Sequence, residues 1–192
     1  MLRFFVLKSY ALPLLLIAVT LSTQLTGPEA TALLRYEQSF IAEGQLWRLL
    51  SAHVVHLDWA HFSLNAAALM FIWILVGHFL TQIQWAATLL GSALGITLGF
   101  YLLLPSLQWY VGLSGVLHAL LMAGALIGAF QKDRISMILV AGIIVKLLAE
   151  HFYGALSSGL IEGGVVTESH LFGAFMGTVS ALFIGLKRRF SS

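Results

Sequence analysis

The sequence predicts an all-α membrane protein, a bundle of six membrane-crossing helices with both termini in the cytoplasm. Three observations carry that prediction. Of 192 residues, 59% are hydrophobic and only 9% charged; mean hydropathy is +0.94; and between Asp58 and Lys132 there is no Asp, Glu, Lys or Arg. Soluble domains carry roughly 25% charged residues, whereas a helix needs about 20 apolar residues to cross a bilayer. Spans are predicted at Tyr10–Leu25, Ala60–Leu80, Trp85–Leu104, Leu113–Phe130, Ile135–Ala149 and Ser169–Leu186, within a single domain, 1–192.

Each element has its own signal. The amino end, "MLRFFVLKSYALPLLLIAVTLSTQ", has the basic start and apolar middle of a signal peptide but no clear small-x-small cleavage site, so it reads as a retained first helix. The first loop, 29–58, mixes "LLRY" and "QLWRLL" with charges, which predicts short amphipathic helices lying on the membrane. The polar breaks "TQIQ" and "PSLQ" divide the second, third and fourth spans. Arg3, Lys8, Lys132, Arg134, Lys187, Arg188 and Arg189 gather on one side of six spans, against Arg35 and Arg48 on the other, and the basic side is cytoplasmic. That distribution also accounts for the pI near 9.1 without nucleic acid. Glycines recur at spacing four at Gly91, Gly95 and Gly99, at Gly124 and Gly128, and at Gly173 and Gly177. Such small faces let helix backbones approach closely.

With no cysteine, any nucleophile must be serine, threonine or lysine. Polar groups inside a bilayer are costly and mark function by default. His61, Ser114 and His170 each stand near the start of a span running inward, at similar depth; Asn65 and His118 follow one turn deeper. A lone intramembrane serine ordinarily bonds its own backbone. Ser114, however, lies between Gly112 and Gly115 where a helix begins, so unpaired amides adjoin it as donors for an oxyanion. His118 and His170 compete for the role of base. His170 is favoured because it comes from another helix and approaches side-on. His61 and Asn65 read equally as an interhelical hydrogen-bond pair or as oxyanion donors. Lys146 and Glu150, one turn apart, read as an interfacial ion pair with substrate contact as the alternative. The Gly- and Ser-rich fifth loop, "YGALSSGLIEGGVVTES", suits a mobile cover or a plain connector.

Three stretches, "WRLLSAHVVHLDWAHFSLN" (Trp47–Asn65), "GLSG" (Gly112–Gly115) and "HLFGAFMG" (His170–Gly177), resemble the rhomboid family of intramembrane serine proteases. The resemblance implies a six-helix rhomboid-like bundle with Ser114 as nucleophile and His170 as general base and then acid. It further implies that His61, Asn65 and the Ser114 N–H hold the oxyanion within the Gly112–Leu113 turn. No third carboxylate, metal or cofactor is implied. Trp47 and Arg48 would brace the first loop, His56 would stand near the cavity, Gly173 and Gly177 would press the sixth span on the fourth, and the fifth span would be a lateral gate. Where the family often has tyrosine four residues after the serine, this chain has His118. The variant "GLSGVLHALL" is similar to the rhombosortase subgroup of Gram-negative bacteria. That subgroup implies an inner-membrane enzyme acting from the periplasmic side on membrane-anchored exported proteins with a carboxyl-terminal Gly-Gly, apolar helix and basic tail. Two rival readings are an inactive rhomboid relative that binds membrane clients and a haem-carrying subunit using some of the seven histidines. A zinc protease is disfavoured, since no H-E-x-x-H occurs.

Overall fold

The computed structural model describes residues 2–154 and 165–190. Helix α1 (Leu2–Thr26) meets α2 (Pro28–Leu34) at a 116° bend, made by Gly27 at φ 79° and by proline in the first turn of α2. The first loop continues through β1 (Tyr36–Glu37), α3 (Gln38–Ala42), α4 (Arg48–Ser51) and a 3₁₀ turn at Ala52–Val54. Then come α5 (Trp59–Val76), a 3₁₀ turn at Gly77–Phe79, α6 (Gln82–Leu103), β2 (Trp109–Tyr110), α7 (Ser114–Phe130), α8 (Arg134–Tyr153) and α9 (Thr167–Phe190).

Side-chain caps explain several starts. Asp58 accepts from the His61 N–H at 2.6 Å to open α5, Thr81 and Gln84 form a reciprocal capping box on α6, and Asp133 accepts from the Ser136 N–H at 2.7 Å to open α8. No side chain caps α7. Its first amides, beginning at Ser114, have no partner within the helix.

The predicted helices all form, with informative differences in length. Among the described residues, four helices are long and apolar enough to cross a membrane: α5 with its 3₁₀ turn, α6, α8 and α9. The bent pair ending in α2 passes the same test only jointly, and α7 has 17 residues, near the lower limit for a span. Helix α8 runs past the predicted end at Ala149 to Tyr153, so Glu150 belongs to the helix instead of ending it.

Helix α7, apolar but for Ser114 and His118, forms the centre, packing against α5, α6, α8 and, most extensively, α9. A Cβ on Gly173 would strike the Gly115 carbonyl oxygen, and one on Gly177 would strike that of Ala119, so the α7 and α9 backbones lie in direct contact. Met176 and Phe172 of α9 fill the spaces left by Gly95 and Gly99 of α6. Gly124 receives Val76 and Trp85, and Gly128 receives Ser136 and Phe79. Gly91 departs from the expected packing face: a Cβ there would meet nothing within 4 Å.

At one end of the bundle, Arg188 donates to the Phe79 carbonyl at 2.8 Å and to Gln84 at 3.1 Å, tying the end of α9 to the α5–α6 turn. At the other end, β1 and β2 pair antiparallel with Tyr36 opposite Tyr110 and Glu37 opposite Trp109. The Gly112 N–H donates to the Ala52 carbonyl at 3.0 Å. The first loop is therefore strapped to the segment that leads into Ser114. Much of the expected fifth-loop cover, 155–164, lies outside the described residues.

Candidate active site

Ser114 is the first residue of α7, and Gly112 sets its approach. Gly112 has φ +123°, a value L side chains rarely adopt, and a Cβ there would meet the His61 ring at 2.7 Å. Its carbonyl accepts from the Tyr110 hydroxyl at 2.7 Å. His53 reaches the same carbonyl with Nδ1 at 3.3 Å and the Ala93 carbonyl with Nε2 at 3.0 Å. Burial lowers the His53 pKa to about 4. The ring is thus neutral near pH 7 with one N–H to give, to one or other of these two carbonyls. Leu113 is buried in the core at the same turn.

His170, buried on α9, holds its Nε2 3.0 Å from Ser114 Oγ. The α7–α9 glycine contacts lie directly below this meeting point. His118 stacks on His170 with centroids 4.1 Å apart and planes at 19°, and its Nδ1–H donates to the Ser114 carbonyl at 2.7 Å. It thereby takes up the stacking position, with its Nδ1 directed to the Ser114 backbone carbonyl and not to Oγ.

His61 and Asn65 are buried on one face of α5. The Asn65 amide donates to the His61 backbone carbonyl at 3.0 Å, one turn back along the same helix. Both line a cleft of about 480 Å³ between α5 and α8, floored by Ser114, His118 and His170 and otherwise walled mainly by apolar side chains such as Phe71 and Ile143. A second cavity of about 330 Å³ joins Ser114 and His61 to Gln108, Tyr110 and Val166. Ser114 stands where the two meet. His56 is buried edge-on to His61, centroids 5.0 Å apart, and burial together with His61 lowers its pKa to about 3.

Arg48 is buried in the first loop, where it donates to the carbonyls of Ala32 at 3.0 Å and Arg35 at 2.8 Å and to Gln45 at 2.8 Å, beneath the Phe40 ring. Trp47 is half exposed and reaches the Leu33 carbonyl at 3.4 Å.

One residue departs from what the resemblance implied. Glu150, buried on α8, holds Oε2 2.9 Å from His170 Nδ1 and Oε1 2.6 Å from Lys146 Nζ. A third carboxylate therefore does reach the histidine. The sequence signal was an acidic residue at the end of an apolar run, and its Lys146 partner one turn away offered a complete account of it. His118, Glu150 and His170 offer metal-ligand atoms within 4.8 Å of one another. The stacked rings hold their lone pairs in nearly parallel planes, whereas one ion requires donors converging at about 2.0–2.2 Å. Both carboxylate oxygens also have partners already, so the arrangement suits proton transfer better than ligation.

Fold and site together define a class: an integral membrane helical bundle in which a serine at an uncapped helix start meets a histidine from the neighbouring helix. Residues 43–187 match the family profile described as the Rhomboid domain, and the chain belongs to the rhomboid family, an intramembrane protease-type family acting on membrane proteins within the bilayer. No curated protein matches the chain.

Proposed function

We propose that the chain is an intramembrane serine endopeptidase that cuts membrane-anchor segments of exported proteins, with Ser114 and His170 as its reacting pair. The 3.0 Å approach of His170 Nε2 to Ser114 Oγ carries this reading. Ser114 Oγ bonds the substrate carbonyl carbon as its proton passes to His170 Nε2. The oxyanion that forms is held by the Ser114 N–H, His61 and Asn65, and losing one such donor costs about 10² to 10³ in turnover. His170 returns the proton to the leaving amine as the peptide C–N bond breaks, and a second nucleophile, activated by the same imidazole, releases the acyl group from Ser114.

The apolar cleft between α5 and α8 suits lateral entry of a substrate helix, and α8 is the wall that moves. The site faces the periplasm across the inner membrane, since the basic ends at Lys132, Arg134 and Lys187–Arg189 mark the cytoplasmic side. The substrates are rhombosortase-type exported proteins ending in Gly-Gly, an apolar helix and a basic tail. The test is co-expression with a reporter bearing such a tail: wild type removes it and Ser114→Ala does not. Tails unchanged in both would remove the subgroup reading, and a Ser114→Ala protein that still cleaves would end the protease reading.

A further inference from the structure

Glu150 is the feature of this site that the two-residue mechanism leaves without a task. Its carboxylate is buried in a bundle, where an ionised group persists only with partners. Each oxygen has one: Lys146 Nζ at 2.6 Å and His170 Nδ1 at 2.9 Å. A carboxylate only accepts hydrogen bonds. A bond to it therefore requires the proton on Nδ1, which leaves Nε2 as a lone pair facing Ser114 Oγ, the tautomer a general base needs. His118 fixes the plane of the same ring from the other side. Three helices thus hold one imidazole: α9 bears it, α7 stacks on it and α8 sets its proton.

We propose that Glu150 is a positioning residue for His170, completing a Ser114–His170–Glu150 relay whose far end is held by Lys146. The inference rests on the proposed protease reading and extends it. As Ser114 Oγ transfers its proton to Nε2, the Nδ1–H stays on the ring, and the Glu150 anion stabilises the imidazolium so formed. Lys146 keeps that anion ionised and tempers its pull. The other titratable and charged groups facing the imidazole are His118 from α7 and His61 from α5; α9 itself adds Glu168 in its first turn, and α6 has no charged residue.

The test is the rate of Ser114 phosphonylation by a fluorophosphonate in detergent, followed from acid to neutral pH. Oγ bonds phosphorus, fluoride leaves, and the serine proton passes through His170 to solvent. Glu150→Gln is expected to slow the limiting rate about 10- to 10³-fold with little change in probe affinity. It should also move the acid limb to lower pH, because the anion favouring imidazolium is gone. Glu150→Asp should restore part of the rate. Lys146→Met should move the limb the other way, to higher pH, because an unopposed carboxylate favours imidazolium more. A merely structural ion pair can shift the limb through its charges but leaves the limiting rate unchanged, so the slowed rate carries the positioning claim. A Glu150→Gln limiting rate within about twofold of wild type overturns the proposal. Should that variant fail to fold, Glu150→Asp decides: a limiting rate more than about twofold below wild type supports the relay, and one within twofold overturns it. Ser114→Ala run alongside separates the two claims. Labelling that survives it ends the protease reading, whereas a silent Ser114→Ala beside an unchanged Glu150→Gln ends only the relay.

Discussion

The seam between α7 and α9 and the flank presented by α8 are built to opposite standards. At the seam, glycine Cα atoms meet carbonyl oxygens, leaving no room for a single methyl group. Along α8 only Ser136, Ile143 and Glu150 are buried; 17% of its apolar window is covered, against 39% for α9. Ser114 and His170 sit across the seam, so backbone contact sets their separation. In the proposed mechanism, access to them runs past α8. That mechanism assigns reacting geometry and entry to different helices, and the looser one still supplies the carboxylate that reaches His170.

Breaking the seam should have the largest effect. Gly173→Val drives a branched side chain into the Gly115 carbonyl, overpacking that costs about 1–3 kcal/mol and displaces His170 from Ser114. A misplacement of about 1 Å costs about 10²-fold in rate. The same probe should therefore label this variant at least about 10²-fold more slowly; labelling at the wild-type rate would mean the contact does not position the pair.

The next effect concerns the strapped first loop. His53 and His56 are neutral when folded, with pKa values of about 4 and about 3 against 6.5 for a free histidine. The unfolded chain binds more protons between 6.5 and those values. Stability is full above about pH 6.5 and falls as pH drops toward 4, by up to about 3 kcal/mol for His53. Unfolding midpoints in mixed detergent should decline from pH 7.5 to pH 5; a flat profile would show that burial does not hold these rings neutral.

The smallest effect should come from the glycine outside any seam. Gly91→Ala meets nothing within 4 Å, so it should leave labelling unchanged and stability within about 1 kcal/mol, on the favourable side, since alanine is the better helix former. A loss comparable to that of Gly173→Val would erase the distinction between the two glycine faces.

Gly91 also shows where sequence reading stops. Spacing of four tells that small residues share a helix face, but not which neighbour that face meets, and Gly95 and Gly99 found partners where Gly91 did not. The helices were legible because hydropathy over about 20 residues is a strong signal. Ser114, His170, His61 and Asn65 stood out because each is polar in apolar surroundings. Glu150 was visible and its bond to Lys146 readable at i,i+4. Its bond to His170 was not, because the predicted span ends one turn before α8 does, at Ala149 ahead of the acidic residue. The β1–β2 pairing left no trace, since strands of two residues have no periodicity to detect.

The account centres on Ser114 Oγ and His170 Nε2 meeting across the seam. Mass-spectrometric mapping of the fluorophosphonate adduct, on wild-type protein and on folded His170→Ala, tests it most directly. The account predicts an adduct on Ser114 in the wild type and none in the variant over the same time. An adduct on another serine, or Ser114 labelled equally fast without His170, would contradict it.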